Sequence, residues 1–246
     1  MKDVGESKNR NEEYKRLFNR EQLIQILVPN KCPVIFDIGA HNGQSVQYFK
    51  KLFPESIIYS FEPDPESFDV LSSKNIDGVS YYNEAISDFD GCATFYRNKI
   101  SHTNSLFKVN LNSKDSIGIT SAKINNDKQY LSEFNSKYEV AATMLDSFTR
   151  KHSIGKVDLL KIDVQGAECH VLRGGQNSLK TTKVIVLEIS FFDYYENQTS
   201  FLNVESILSP LGFKLYSISE ISNNPLNGRT DWAEVVYVNS SLLALK

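Results

Sequence analysis

Val34-Ile35-Phe36-Asp37-Ile38 is a run too apolar to have a wet face, and it carries one acid near its end. Strands buried on both faces of a parallel sheet read this way. A glycine-bearing loop, Gly39 to Gly43, follows, and then a helical stretch from Gln44 to Leu52. The unit repeats. Ile57–Phe61 is a second buried strand, Pro65–Ser73 a helix with proline in its first turn, and Val79–Tyr82 a third strand. Such β-loop-α repetition predicts an α/β fold with a doubly wound, mostly parallel sheet.

Further along, the pattern changes and then returns. Ala85 to Tyr96 reads as a hairpin around Asp90-Gly91, a favourable turn dipeptide. Ser101 to Lys137 is rich in Ser, Asn and Lys and weak in periodicity, so it reads as a long excursion over one sheet edge. Val140–Thr143 and a helix from Leu145 to His152 restore order. Val157–Ile162 is a fourth buried strand ending at Asp163, and Glu168–Arg173 a short helix closed by Gly174-Gly175. Val184–Leu187 is a fifth strand ending at Glu188, and Phe201–Ser209 a helix. Phe213–Ser219 and Glu234–Val238 look like a closing antiparallel pair.

Before all this, Tyr14, Leu17, Phe18, Leu23, Ile24 and Leu27 recur at helical spacing, which predicts one helix from Glu13 to Val28 stopped by Pro29-Asn30. Residues 1 to about 12 read as frayed. The expected organisation is a helical extension over 1–30, suited to a homo-oligomer contact, and one domain over 31–246. The hairpin and long loop are inserted in that domain at about 85–140.

Bulk properties exclude several functions. A net charge of −3 leaves no basic field to hold nucleic acid. No stretch approaches the ~20 apolar residues of a membrane span. Cys32, Cys92 and Cys169 are odd in number and not at metal or redox spacing, as expected of reduced thiols in a cytoplasmic protein.

The chemistry concentrates at strand ends. Asp37-Ile38-Gly39-Ala40-His41-Asn42-Gly43 feeds a strand into a tight turn that opens a helix, at the end of the sheet where ligands bind in such folds. The dinucleotide fingerprint fails because His41 stands at its second glycine, and no phosphate-loop lysine is present. An acid-first loop poor in glycine suits a ligand with a positive group and no pyrophosphate. S-adenosylmethionine, with an ammonium and a sulfonium, is such a ligand.

In Phe61-Glu62-Pro63, Glu62 lies about 20 residues past the loop, where nucleoside-binding α/β folds keep the acid that holds a ribose. Pro63 fixes the chain as it leaves the strand. Asn83, Glu84 or the backbone of Ala85 and Ile86 is placed to read an adenine amino group.

Asp163 ends the central strand and faces the same crevice. It is suited to accept a substrate proton, to position the methionine portion, or to bind a metal with Glu188. No histidine accompanies those acids at ligand spacing, so no metal is expected, and proton acceptance is the first choice. His41 and His102 are weaker proton acceptors. Glu168 reads as a helix-dipole partner or a shaper of its own loop, and Lys161, inside a strand, as the partner of an acid or a side chain that snorkels to water.

Taken in order, several motifs resemble the FkbM family of methyltransferases. They are Phe36 to Gly43, Phe61-Glu62-Pro63, Glu84-Ala85-Ile86-Ser87-Asp88 with Gly91, Thr143-Met144-Leu145-Asp146, and Leu160 to Glu168 with Leu172-Arg173-Gly174. The resemblance spans about Val34 to Glu188. It implies a Rossmann-like sheet of the class I methyltransferase type, with a reversed C-terminal strand. It also implies S-adenosylmethionine as cofactor and O-methylation of a hydroxyl on a sugar, glycan or other small molecule. The alternatives are a non-catalytic binding or scaffold protein on the same fold and a nicotinamide-dependent oxidoreductase. Acids at the strand ends argue against the first, and the missing glycine against the second.

Overall fold

A computed structural model describes residues 10–113, 131–225 and 227–242. Its centre is a seven-stranded sheet in the order β3-β2-β1-β7-β8-β10-β9. The strands are β1 (Val34–Ile38), β2 (Ile57–Phe61), β3 (Val79–Tyr82), β7 (Val157–Ile162), β8 (Thr182–Ser190), β9 (Phe213–Asn223) and β10 (Thr230–Asn239). β1, β2, β3, β7 and β8 run parallel. β10 is reversed and pairs antiparallel with both β8 and β9. This is the doubly wound sheet with one reversed strand that the sequence predicts.

Alternation along the strands builds two cores. Ile35, Leu159, Val184, Val186, Val236 and Val238 face one side. There they meet α2 (Arg20–Leu27), α3 (Gln44–Leu52) and α4 (Pro65–Ser73). Phe36, Ile38, Leu160, Ile162, Ile185 and Leu187 face the other, against α5 (Leu145–Lys151), α6 (Glu168–Gly174) and α7 (Phe201–Leu208). Neighbouring residues thus belong to opposite cores, so the central strands are apolar at most positions, with Asp37 in β1 and Asp158 and Lys161 in β7 as charged exceptions.

The predicted first helix is two, α1 (Arg10–Leu17) and α2. Asn19 breaks it, because its side chain accepts from Gln22 N while Gln22 caps the Asn19 N–H in return. That reciprocal cap satisfies two orphan donors and starts a new helix. Leu23, Ile24 and Leu27 then bury against the sheet. Each contributes about 1.5–3 kcal/mol by leaving water.

The predicted hairpin does not form. β4 (Ala85–Ser87) and β5 (Gly91–Arg97) lie on opposite sides of β6 (Ser136–Met144) in a separate small sheet. β4 pairs with β6 in parallel and β5 pairs with it antiparallel. Asp90 explains why the turn opens. Its carboxylate accepts from Met144 N, Thr143 Oγ1 and Ser147 Oγ, tying the bend to β6 and α5 rather than closing on itself. Of the long excursion, residues 101–113 fold back over the strand ends: Tyr96 bridges Ser105, and Val109 bridges Tyr195. Residues 1–9 and 114–130 of the sequence reading lie outside the described residues. Among the described residues no helix is long and apolar enough to cross a membrane.

Candidate active site

The loop after β1 takes a backbone course that few residues tolerate. Gly39 has φ +78°, and a Cβ there would lie 1.8 Å from the carbonyl oxygen of Asp163. Only glycine lets β1 and β7 end this close together. Gly39 N and Ala40 N both donate to Phe61 O, which binds the loop to β2. His41 is left-handed without being glycine (φ 46°), and the turn aims its N–H at Glu62 Oε2, 2.7 Å away.

Glu62 is 6% exposed, and its other oxygen accepts from Asp64 N at 2.9 Å. Burial raises its pKa to about 7 even though the two N–H groups favour the ionised form. Asn83 Nδ2 holds the carbonyls of Glu62 and Pro63 and so fixes the exit from β2.

A cavity of about 500 Å³ opens at the carboxyl ends of the parallel strands. Of the residues expected to bind cofactor or catalyse, Gly39, His41, Glu62, Pro63, Glu84, Ala85 and Asp163 line it. Asp37, Ala40 and Gly43 do not. Asp37 is fully buried beneath the loop, where it accepts from Ser45 Oγ at 2.6 Å and faces Lys161 at 3.3 Å. Gly43 packs against α4, where a Cβ would meet Leu71 at 2.7 Å. These residues shape the loop from behind.

Lys161 has the acid partners expected of it. Its ammonium lies 3.3 Å from Asp37 and 3.5 Å from Asp163, and donates to Gly39 O at 2.8 Å. Burial lowers its pKa, but the two carboxylates outweigh burial and the net shift is upward. Asp163 is held on its other oxygen by Gln165 Nε2 at 2.8 Å, and Gln165 Oε1 in turn accepts from Tyr195 Oη at 2.9 Å. Glu168 accepts from Gly166 N, the loop-shaping contact expected of it, and burial raises its pKa to about 7.

Further residues close the cavity, of which His102 alone was singled out from the sequence. Ser101 to Leu106 cover one side: Ser101 Oγ lies 2.9 Å from His41 Nε2, and Ser105 Oγ donates to Gln165 O at 2.7 Å. Burial, then His102, lowers the His41 pKa. Tyr194 from the β8–α7 loop, Asn224 from the β9–β10 turn, and Asp231 and Trp232 from the start of β10 form a further part of the wall. The sole tryptophan of the chain was the one available signal for that wall. Among the described lining residues, Glu62, Glu84, Asp163, Glu188 and Asp231 are acidic, and none is lysine or arginine.

The sequence profile of the Methyltransferase FkbM domain matches residues 37–215. The chain is 30% identical over 179 residues to the 2-O-methyltransferase NoeI of Sinorhizobium fredii, covering 70% of this chain and 69% of that protein. It is 28% identical over 147 residues to Methyltransferase 1 of Beauveria bassiana, covering 57% of each. Among solved structures, its fold resembles that of a methyltransferase FkbM from Methylobacillus flagellatus KT, with a TM-score of 0.50 at 10% identity. The match covers 85% of this chain but 44% of the other, so this chain spans less than half of that protein.

Proposed function

Since this chain belongs to the FkbM methyltransferase family, we propose that it is an S-adenosylmethionine-dependent O-methyltransferase acting on a hydroxyl of a sugar, glycan or other small molecule. The observation that carries this reading is Glu62, a buried carboxylate at the wall of a cavity that, among the described residues, no lysine or arginine lines. The residues fit the cofactor. Glu62 is suited to accept hydrogen bonds from ribose hydroxyls. Ile38, Phe61 and Ile86 supply apolar surface for a base, beside Glu84 and Ala85. An acid-rich lining favours ammonium and sulfonium groups and disfavours a pyrophosphate. The relative named as a 2-O-methyltransferase supports oxygen as the atom methylated.

When bound, S-adenosylmethionine supplies an electrophilic methyl group. The chain has to bind, align and dry the reactants, and alignment alone accounts for about 7–11 kcal/mol of such a barrier. The acceptor hydroxyl must also lose its proton. Asp163 and Glu188, side by side on adjacent strands, are the carboxylates available to receive it. Three unpaired cysteines support a reducing, cytoplasmic location.

Calorimetry and thermal melting with S-adenosylhomocysteine and with NAD test the cofactor. The sulfur nucleoside should stabilise by about 2.7 kcal/mol at 100 times its dissociation constant. A shift with NAD alone would return the oxidoreductase reading. Mass spectrometry of glycan extracts incubated with methyl-labelled cofactor then separates an enzyme from a scaffold that binds without turnover.

A further inference from the structure

Four carboxylates form a row across the sheet. Ile162 of β7 is in register with Leu187 of β8, so the next residues, Asp163 and Glu188, stand side by side. Glu188 is opposite Glu234 of β10, and Glu234 is opposite Glu220 of β9. Directly opposed side chains share a face and lie close, so like charges there repel. Each acid therefore needs a cation or a proton.

Cations serve both ends of the row. On the β10 side, Arg20 of α2 clasps Glu234 through two bonds of 2.7 and 2.6 Å and lies 3.8 Å from Glu220. On the β7 side, Lys161 is 3.5 Å from Asp163. Glu188 sits between them, and among the described residues no lysine or arginine comes within ion-pair distance of it. The groups around it are Asp163 and Lys161 from β7, Gln165 and Glu168 from the loop and helix beyond, Tyr195 from the β8–α7 loop, and Glu234 from β10. Its carboxyl lines the cavity.

Asp163 lines the same cavity and shares Gln165 as a partner with Glu188, but it has a cation at ion-pair distance. Gln165 holds one oxygen, Lys161 faces the other, and Tyr195 fixes Gln165 in turn.

We propose that Glu188 is the group that takes the acceptor's hydroxyl proton, and that Asp163, clamped by Lys161 and Gln165, is a positioning residue beside it. This rests on the reading that the cavity methylates a hydroxyl. The acceptor oxygen forms a bond to the methyl carbon as the carbon–sulfur bond breaks, with that bond's electron pair staying on sulfur. The hydroxyl proton passes to the Glu188 carboxylate, which later releases it to water. Burial first, then the charges of Asp163 and Glu168, raise the Glu188 pKa to about 8, within the range of a working general base.

Two readouts test the assignment. The first needs no acceptor. Carbon-13 carboxyl resonances are titrated by NMR in protein saturated with S-adenosylhomocysteine. The resonance missing in Glu188→Gln should have its midpoint near 8, and Asp163→Asn should move that midpoint down by removing a neighbouring negative charge. The second is methyl transfer from labelled S-adenosylmethionine to a mixture of methyl hexosides. In the native enzyme kcat should rise with pH through one ionisation. Glu188→Gln should lower kcat by about 10²–10⁴-fold and flatten that rise. Asp163→Asn should keep the rise, displaced to lower pH.

A rise that survives in Glu188→Gln, a rise lost in Asp163→Asn, or a Glu188 carboxyl already ionised at pH 6 would overturn the assignment. Melting and S-adenosylhomocysteine binding confirm that each variant is folded. Native protein that binds no S-adenosylhomocysteine would overturn the cofactor reading itself. Native protein that binds it but labels no hydroxyl would overturn this inference and leave the cofactor reading standing.

Discussion

The ammonium of Lys161 lies 3.3 Å from the carboxylate of Asp37, and the carboxylate is sealed from solvent. Removing one member of such a pair leaves a buried charge uncompensated. Lys161→Met should therefore cost about 3–5 kcal/mol of stability. Adding Asp37→Asn should recover part of that loss, because the uncompensated charge goes with it. Urea unfolding of the single and double variants measures the coupling, and strictly additive effects would show that the two residues act independently.

Glu62 links the first loop to the cavity, so its loss should be felt in binding before folding. Glu62→Ala should weaken S-adenosylhomocysteine binding by about tenfold or more, the expected effect of a lost hydrogen bond to a charged group. Its pKa is about 7, and the ionised form is the stronger acceptor. Affinity should accordingly rise as pH passes upward through 7, with protons released on binding below that point. Calorimetry in buffers of different ionisation enthalpy measures the release. Glu62→Gln should lose this component of the pH dependence.

Three glutamates make the fold more stable in mild acid than in mild base. Glu62 and Glu168 have pKa values raised from 4.5 to about 7, and Glu188 from 4.5 to about 8, with burial the largest cause in each. Between those limits the folded chain binds more protons than the unfolded one, so stability falls as pH rises. The aspartates whose pKa values are lowered, Asp64, Asp90 and Asp158, act in the opposite sense, and only in stronger acid. Glu168→Gln keeps an acceptor for Gly166 N while removing one titration. Unfolding free energies measured at several pH values should show a shallower slope in that variant, and an unchanged slope would refute the account.

Two glycines should respond oppositely to alanine. At Gly174 a Cβ would lie 1.9 Å from Ser87 O, where α6 meets β4. Gly174→Ala must push these elements apart and should cost about 1–3 kcal/mol. At Gly155 nothing lies within 4 Å of the added carbon and the backbone φ is not positive. Gly155→Ala should be neutral or stabilise by up to about 1 kcal/mol through the unfolded state. Thermal melting of both variants distinguishes the outcomes.

The central strands were legible because burial on both faces leaves a continuous apolar signature, as in Val184 to Leu187, with the acid Glu188 following where that run reaches the cavity. The break at Asn19 was written in the sequence as Asn-x-x-Gln, but the apolar periodicity continues through it and hid the cap. The pairing of β4 and β5 was not legible. Asp90-Gly91 has the local chemistry of a tight turn, whereas the strand that separates its two arms begins at Ser136, and no local signal points that far. The same limit applies to the cavity. Its strand-end acids announce themselves by following apolar runs. The wall of Tyr194, Asn224, Asp231 and Trp232 exists only because the β8–α7 loop, the β9–β10 turn and the start of β10 converge, and no spacing encodes it.

β10 follows β9 in the chain yet lies between β8 and β9 in the sheet. During synthesis β8 therefore presents an unpaired edge until nearly every other strand has emerged, and β9 has no sheet to join. Chains grow at roughly 5–20 residues per second, so that edge is bare for seconds, and open edges are where chains misassociate. Synthesis thus imposes an order on folding: the parallel half can assemble early, while the half carrying the Trp232 wall must wait for the reversed strand. Chaperone demand should peak in that interval.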